Sequence, residues 1–317
     1  MKRLSFVADE EDAGHRLDQV LARRTPLSRR RARALLQAGA VFVDRRRVKV
    51  ASRPVRSGQR VEVTLEARGA APLAAAEPLE AHRILHSDPH LLFVDKPAGT
   101  PAQPGLDGTA ASLPARLEAL LGQRVYPVHR LDRDTTGVTV LARTRRAERA
   151  LGAAFRRREV EKVYLALSVG VPEVASGRIE APLGPDPGAP GCVRVSPSGR
   201  AAETAYRVLR RWGGFSLLEL RPLTGRTHQI RAHLAHLGHP IAGDRRYGGP
   251  AHFTAESGQR LDFERPLLHA LHLEVPHPLT GDRVGSEAPL PADLAETLQR
   301  LDALAPLTEP SDDSPDR

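Results

Sequence analysis

Cysteine occurs once in these 317 residues, at Cys192. A single thiol excludes an internal disulfide and any cysteine-rich zinc site, which suits a reducing cytosol, and its simplest reading is a small buried apolar residue. Nowhere are there 18 consecutive apolar residues, and the N-terminus lacks a long apolar segment. Neither a membrane span nor a signal peptide is therefore expected, and the expected location is cytoplasmic. Lysine is scarce too, confined to Lys2, Lys49, Lys96 and Lys162, and tyrosine occurs four times. Acidic charge falls short of basic charge, 38 Asp and Glu against 47 Lys and Arg, leaving a net +9. That imbalance suits a polyanionic partner, in practice nucleic acid, without choosing between RNA and DNA.

What is present divides the chain into 1–65, a linker at 66–80, a β-rich domain at 81–305 and an acidic tail at 306–317, expected to be disordered. In the first part Leu17, Val20 and Leu21 share a helical face, and Ser28 reads as the N-cap of a second helix, Arg29 to Ala38, stopped by Gly39. Short strands follow at 41–43, 48–50 and 60–63, the first two joined by the turn Asp44-Arg45-Arg46-Arg47. The second helix carries Arg29, Arg30, Arg31 and Arg33. A solvated face and a phosphate-contacting surface both fit such a run.

In the larger domain the strand Leu91 to Asp95 runs into the turn signal Lys96-Pro97-Ala98-Gly99. His129-Arg130-Leu131-Asp132-Arg133-Asp134-Thr135-Thr136-Gly137 then forms a polar loop between the apolar 125–128 and the β-rich 138–142. In extended backbone Arg130 and Asp132 share a face, so carboxylate and cation meet one cleft. Taken in isolation, the loop reads first as a turn in which Asp132 and Asp134 bond their own backbone and the arginines are solvated. Residues 145–158 read as an amphipathic helix with arginines outward, and 160–169 as a strand carrying Lys162 and Tyr164. After a Pro- and Gly-rich stretch at 181–200 come strands at 202–209 and 215–221, joined through 210–214. A turn at Arg221 to Arg226 then enters a helix with Ile230, Leu234 and Leu237 inward, ending at Gly238. Arg231 lies beside the apolar face, where a partly buried carboxylate partner fits. His228, His233, His236 and His239 lack zinc-hydrolase spacing and a Glu general base, so no metal is expected. A terminal helix is expected over 291–304.

Four ordered blocks resemble the RluA family of RNA pseudouridine synthases: Asp95-Lys96-Pro97-Ala98-Gly99, the 129–137 loop, Lys162-Val163-Tyr164-Leu165-Ala166, and Thr224 to Arg231 with Gly238 to Asp244. The loop departs once from that family's pattern, with Thr136 in place of serine. Residues 14–65 resemble the RNA-binding domain named after small-subunit ribosomal protein S-four. The resemblance implies an α+β pseudouridine synthase fold, a mixed and mainly antiparallel sheet with flanking helices, plus a small N-terminal α/β RNA-binding domain. It implies Asp132 as the catalytic residue, paired with Arg231, and Tyr164 stacking on the target base. His129, Arg130, Lys96 and Arg226 are expected at the substrate, and Arg29, Arg30 and Arg33 on the RNA.

Isomerising uridine breaks the N1 glycosidic bond, turns the uracil and rejoins it through C5. Nothing is oxidised and no group is imported, so no cofactor is expected. The chemistry asks for a carboxylate beside a sugar that develops positive charge. Attack on the sugar, attack on the base and removal of the 2′ proton are all open to Asp132. Tyr164 is a candidate aid in removing the C5 proton, and Arg130 a filler of the space the flipped base leaves. The expected partner is RNA, foremost large-subunit ribosomal RNA with transfer RNA as the alternative. The expected state is a monomer, with no DNA and no membrane partner. A non-catalytic RNA-binding protein and a metal-dependent nuclease are the readings from other classes.

Overall fold

The computed structural model describes residues 3–25, 27, 29–37, 39–64, 77–103 and 112–304. They fall into two compact units, one reaching Glu77 and holding Ser112, the other made of Pro78–Gln103 and the chain from Leu113. The first contains β1 (Arg3–Val7), α1 (Leu17–Arg24), α2 (Arg29–Gln37), β2 (Val41–Val43), β3 (Arg46–Arg47) and β4 (Arg60–Thr64). The strands pair in the order β1-β4-β2-β3. Leu17, Val20 and Leu21 of α1 meet Leu35, Leu36, Val41, Val43, Val61 and Val63 in one core. The strand expected at 48–50 is displaced to β3. Asp44 and Arg45 both take left-handed backbone, φ 50° and 65°, so a two-residue turn reverses the chain before the basic run ends. Ser28 and Ala38 lie outside the described residues.

The arginines of α2 are not simply solvated. The Nε atoms of Arg29 and Arg33 lie 3.2 and 2.5 Å from Oδ2 of Asp18, and Nε of Arg16 lies 3.1 Å from its Oδ1. Asp18 is fully buried. Burial raises its carboxyl, but the hydrogen bonds from Arg33, Arg16 and Arg29 outweigh that and hold it at about 2. A depressed carboxylate stabilises the fold above its unfolded pKa and ceases to do so as pH falls through the folded value. Asp18→Asn is therefore expected to cost on the order of 1–2 kcal/mol at pH 7. The deficit should hold down to about pH 4 and narrow below it. Amide-exchange protection of α1 and α2 measures this; a deficit constant through pH 3 would contradict it.

In the second unit the chain forms β5 (Ile84–Ser87), β6 (Leu91–Lys96), α3 (Leu113–Leu121), β7 (Tyr126–Pro127), β8 (Thr136–Ala142), α4 (Arg145–Arg157) and β9 (Glu161–Val169). It continues through β10 (Ser176–Glu180), β11 (Leu183–Pro185), β12 (Val193–Val195), β13 (Glu203–Trp212), β14 (Phe215–Pro222) and α5 (Gln229–His236). β15 (His252–Thr254), β16 (Arg260–Asp262), β17 (Leu268–Pro276), β18 (Arg283–Glu287) and α6 (Ala292–Leu304) complete it. Ten strands make one sheet in the order β10-β13-β14-β9-β17-β8-β6-β5, with β18 on β17 and β7 on β8. Every pairing is antiparallel except β17 with β8, so the sheet is mixed and mainly antiparallel, within an α+β fold.

Both faces are covered, which is why the central strands read as apolar runs; all seven residues of β8 are buried. On one face Leu91, Phe93, Val138 and Val140 receive Ala147 and Leu151 of α4, and Ala166, Leu218 and Leu220 receive Ile230 and Leu234 of α5. Tyr164 touches both clusters. The opposite face packs Leu92, Val94 and Leu141 on α3, and Leu165, Leu167 and Leu217 on α6. Leu79 joins the α3 cluster, 1% exposed, so the end of the expected linker is part of this core; residues 66–76 and the tail from 305 lie outside the described residues. Two further expectations shift. β13 continues through Trp212, leaving Gly213-Gly214 as the turn, and Leu237, expected inward, caps α5 and is 37% exposed.

Gly137 permits the parallel pairing. Its φ is 109°, and a Cβ there would lie 2.1 Å from the backbone oxygen of Ala270, its partner on β17. Neither backbone can yield without separating β8 from β17. Gly137→Ala is expected to destabilise this unit by about 3 kcal/mol or more. Trp212, the only tryptophan, reports that unit's unfolding by fluorescence; an unshifted denaturation midpoint would refute the packing argument.

Candidate active site

The 128–135 loop leaves the end of β7 and enters β8 beside β17. Leu131 is buried in the α4 cluster and anchors it. The backbone is also held from beneath. Lys96 Nζ donates to the carbonyls of Pro97, Thr100 and Arg133 at 3.0, 2.9 and 2.8 Å, and Arg265 donates to the carbonyl of Asp134 at 3.1 Å. Arg265 is itself clamped by Asp293 of α6 through Nε and Nη2 at 2.6 and 2.8 Å. Lys96 is fully buried, so the expectation that it meets substrate is corrected: all three of its donors are spent on carbonyls. Burial, partly opposed by Asp134, pushes its ammonium down to about 7.

Asp132, the next residue after the buried anchor, stays 19% exposed. Nη1 of Arg231 donates to its Oδ2 at 3.1 Å. The rest of the same guanidinium makes a two-pronged pair with Asp244, Nε to Oδ2 at 2.6 Å and Nη2 to Oδ1 at 2.8 Å. Arg231 is thus a bridge between a partly exposed carboxylate and a fully buried one, since Asp244 is 1% exposed. Burial lowers its pKa, but the two aspartates more than reverse that. Its guanidinium lies over the ring of Tyr247, 4.9 Å from the centroid.

His228 enters the site through strained backbone, φ 52°, immediately before α5. Its Nε2 is 3.8 Å from Asp132 Oδ2 and its Nδ1 is 2.9 Å from the Tyr247 hydroxyl. That hydroxyl also accepts the Val193 N–H at 3.0 Å. Burial, opposed by Asp132, lowers His228 and favours a neutral ring. The other helix histidines scatter. His233 bonds Thr204 and Ala181, His239 bonds the Val169 carbonyl, and His236 is exposed.

Tyr164 projects from β9 toward the same face, and burial first, then the Asp132 charge, drives its phenol upward in pKa. It therefore offers a ring face and a proton, and is a poor base at neutral pH. Arg130 is exposed and forms no ion pair among the described residues. His129 does not face a substrate. Its Nε2 accepts from Val140 N–H at 3.1 Å and lies 2.9 Å from Thr139 Oγ1, and its ring stacks on Phe155 at 4.5 Å, so it braces the loop against β8 and α4. Burial and the nearby Lys162 hold it at about 3, neutral. Arg226 is half-buried and donates to the Ala201 carbonyl at 3.0 Å. The side chain of Arg30 lies outside the described residues. Thr136 keeps a hydroxyl partner, His269 Nδ1 at 2.9 Å.

A carboxylate steered by a guanidinium beside a tyrosine face suits glycosidic chemistry on a flat base. The RNA pseudouridylate synthase model matches residues 90–236, and the S4 domain model matches 15–61. The chain is 35% identical to ribosomal large subunit pseudouridine synthase D of Pasteurella multocida, over 92% of each chain. It is 36% identical to synthase C of Vibrio cholerae, over 92% of this chain and 95% of that one. The chain belongs to the RNA pseudouridine synthase family. As an RNA pseudouridine synthase it also matches the solved structure of human RNA pseudouridylate synthase domain containing 4, with TM-score 0.56 and 30% identity, covering 72% of this chain and 95% of that one. Human RNA pseudouridylate synthase domain containing 1 aligns with TM-score 0.54 and 26% identity, over 72% and 98%. The synthase's partner is RNA, and among the described residues no helix is long and apolar enough to cross a membrane.

Proposed function

We propose that this synthase isomerises specific uridines of large-subunit ribosomal RNA, with Asp132 as the reacting carboxylate. The observation that carries the assignment is the bridge through Arg231, which fixes Oδ2 of Asp132, while no hydrogen bond reaches Oδ1 among the described residues. An aimed carboxylate next to a developing oxocarbenium-like sugar stabilises charge that appears only in the transition state. Tyr164 stacks on the uracil. Exposed Arg130 fills the stack that the flipped uridine vacates. The N-terminal unit binds RNA through the remaining N–H groups of Arg29 and Arg33, which are 47% and 44% exposed while pinned to Asp18. The enzyme acts as a monomer in the cytoplasm.

The substrate reading rests on relatives named for the large ribosomal subunit that match over most of this chain. Tritium release from transcripts labelled at uridine C5 tests it. Release from large-subunit ribosomal RNA and none from transfer RNA is expected; release from transfer RNA alone would reassign the substrate.

A further inference from the structure

Lys96 and Lys162 are both largely enclosed lysines of the catalytic unit, but they are satisfied differently. Lys96 has three carbonyl acceptors within 3.0 Å. Lys162 has one, the carbonyl of Thr224, at 3.3 Å. No carboxylate pairs with it among the described residues, although Glu161 beside it pairs with Arg221. An enclosed ammonium with spare donors is costly unless an anion completes it.

Arg158 stands near it, and Arg226 and Arg200 lie on the adjoining turns. The bond to Thr224 ties Lys162 to the turn that carries Arg226, and the bond from Arg226 to Ala201 ties that turn to exposed Arg200. Arg158 closes α4 in left-handed backbone and leads into β9, with its side chain exposed. Like Lys162, these three form no ion pair among the described residues, whereas neighbouring Arg157 and Arg221 do. The group is close enough to be mutually repulsive. Burial and Arg158 push Lys162 down to about 8, and burial with Arg200 and Arg158 lowers Arg226. Lys162 lies two residues before Tyr164 on β9, so both side chains leave the sheet on one face.

We propose that Lys162, Arg158, Arg200 and Arg226 form a cradle for backbone phosphates of the RNA strand, next to the nucleotide stacked on Tyr164. The proposal rests on the assignment of Tyr164 and Asp132 to the reaction. The ligand is a phosphodiester because the partner is RNA, whose backbone supplies anions at regular spacing without sequence information.

The test uses the full-length enzyme and a transcript that the wild type isomerises. Affinity is measured across a potassium chloride series and steady-state constants by tritium release, for Lys162→Gln and for the double variant Arg158→Ala/Arg200→Ala. The double variant changes exposed side chains only, so its folding is secure. Each should weaken RNA binding and raise KM about tenfold, and reduce the slope of log affinity against log salt by about 0.7 for each phosphate left without its cation. Arg178→Ala, which removes a cation already paired with Glu203, serves as control and should leave the slope unchanged. Unaltered slope and KM in both variants would overturn the cradle, as would a loss confined to kcat. A wild type that releases no tritium from any RNA would instead overturn the functional reading, while the binding slopes would still decide the cradle.

Discussion

Asp132→Asn is expected to abolish tritium release from C5-labelled RNA, a fall on the order of 10⁵-fold or more, as when an enzyme loses an essential catalytic group. Fold and RNA affinity should survive. The loop is positioned by Leu131, by Lys96 and Arg265 on its carbonyls, and by Arg133, whose Nε donates to the Gly99 carbonyl at 3.0 Å. None of these contacts uses the Asp132 side chain. An asparagine oxygen still accepts from Arg231, so size and hydrogen bond remain while the proposed reacting carboxylate is gone. The decisive comparison is tritium release beside the denaturation midpoint and RNA binding of the same variant. Residual turnover within tenfold of wild type would remove Asp132 from the chemistry and point to another group on this face.

The pairing of Asp132 with Arg231, 99 residues apart, was expected only because both motifs resemble those of the family, which implies the pair. The apolar face of α4 was legible because one-sided burial imposes a period on the sequence, and β8 as an unbroken apolar run because both of its faces are covered. What escaped were partners fixed by tertiary packing. Asp244 ends the Gly238 to Asp244 block, yet nothing local says that its carboxylate takes two of the guanidinium's donors. Lys96 ends a strand at a Pro-Gly turn, the usual setting of a surface lysine. Only the approach of the Arg133 carbonyl, 37 residues away, makes it a buried tie. His129 likewise looked like a substrate ligand beside Arg130, but its neighbour across the chain is Phe155. The arginines of α2 looked free because Asp18 lies on another helix. Charge runs give composition; which charges are already spent is a property of the fold.

Removing Arg231 should do what removing Asp132 does not, and destabilise the protein. Asp244 is buried at 1% exposure, and both of its oxygens receive hydrogen bonds from that guanidinium. Arg231→Met leaves this carboxylate enclosed without its cation, a loss of about 3–5 kcal/mol. The double variant Arg231→Met/Asp244→Leu removes both charges, and most of that stability should return, since a buried pair replaced by apolar groups of similar volume is often neutral. Activity should not return in either, because Asp132 loses its fixed donor; kcat should fall by roughly 10²–10³. Arg231→Lys should fall between, keeping charge but not the planar fork that spans two aspartates. Trp212 fluorescence in a denaturant series gives the three midpoints, and tritium release gives the rates. If Arg231→Met is as stable as wild type, or the double variant is no more stable than the single, the bridge is not what holds α5 to the 238–244 segment. If stability returns in the double variant together with activity, the guanidinium's role is structural and Asp132 needs no fixed partner to react.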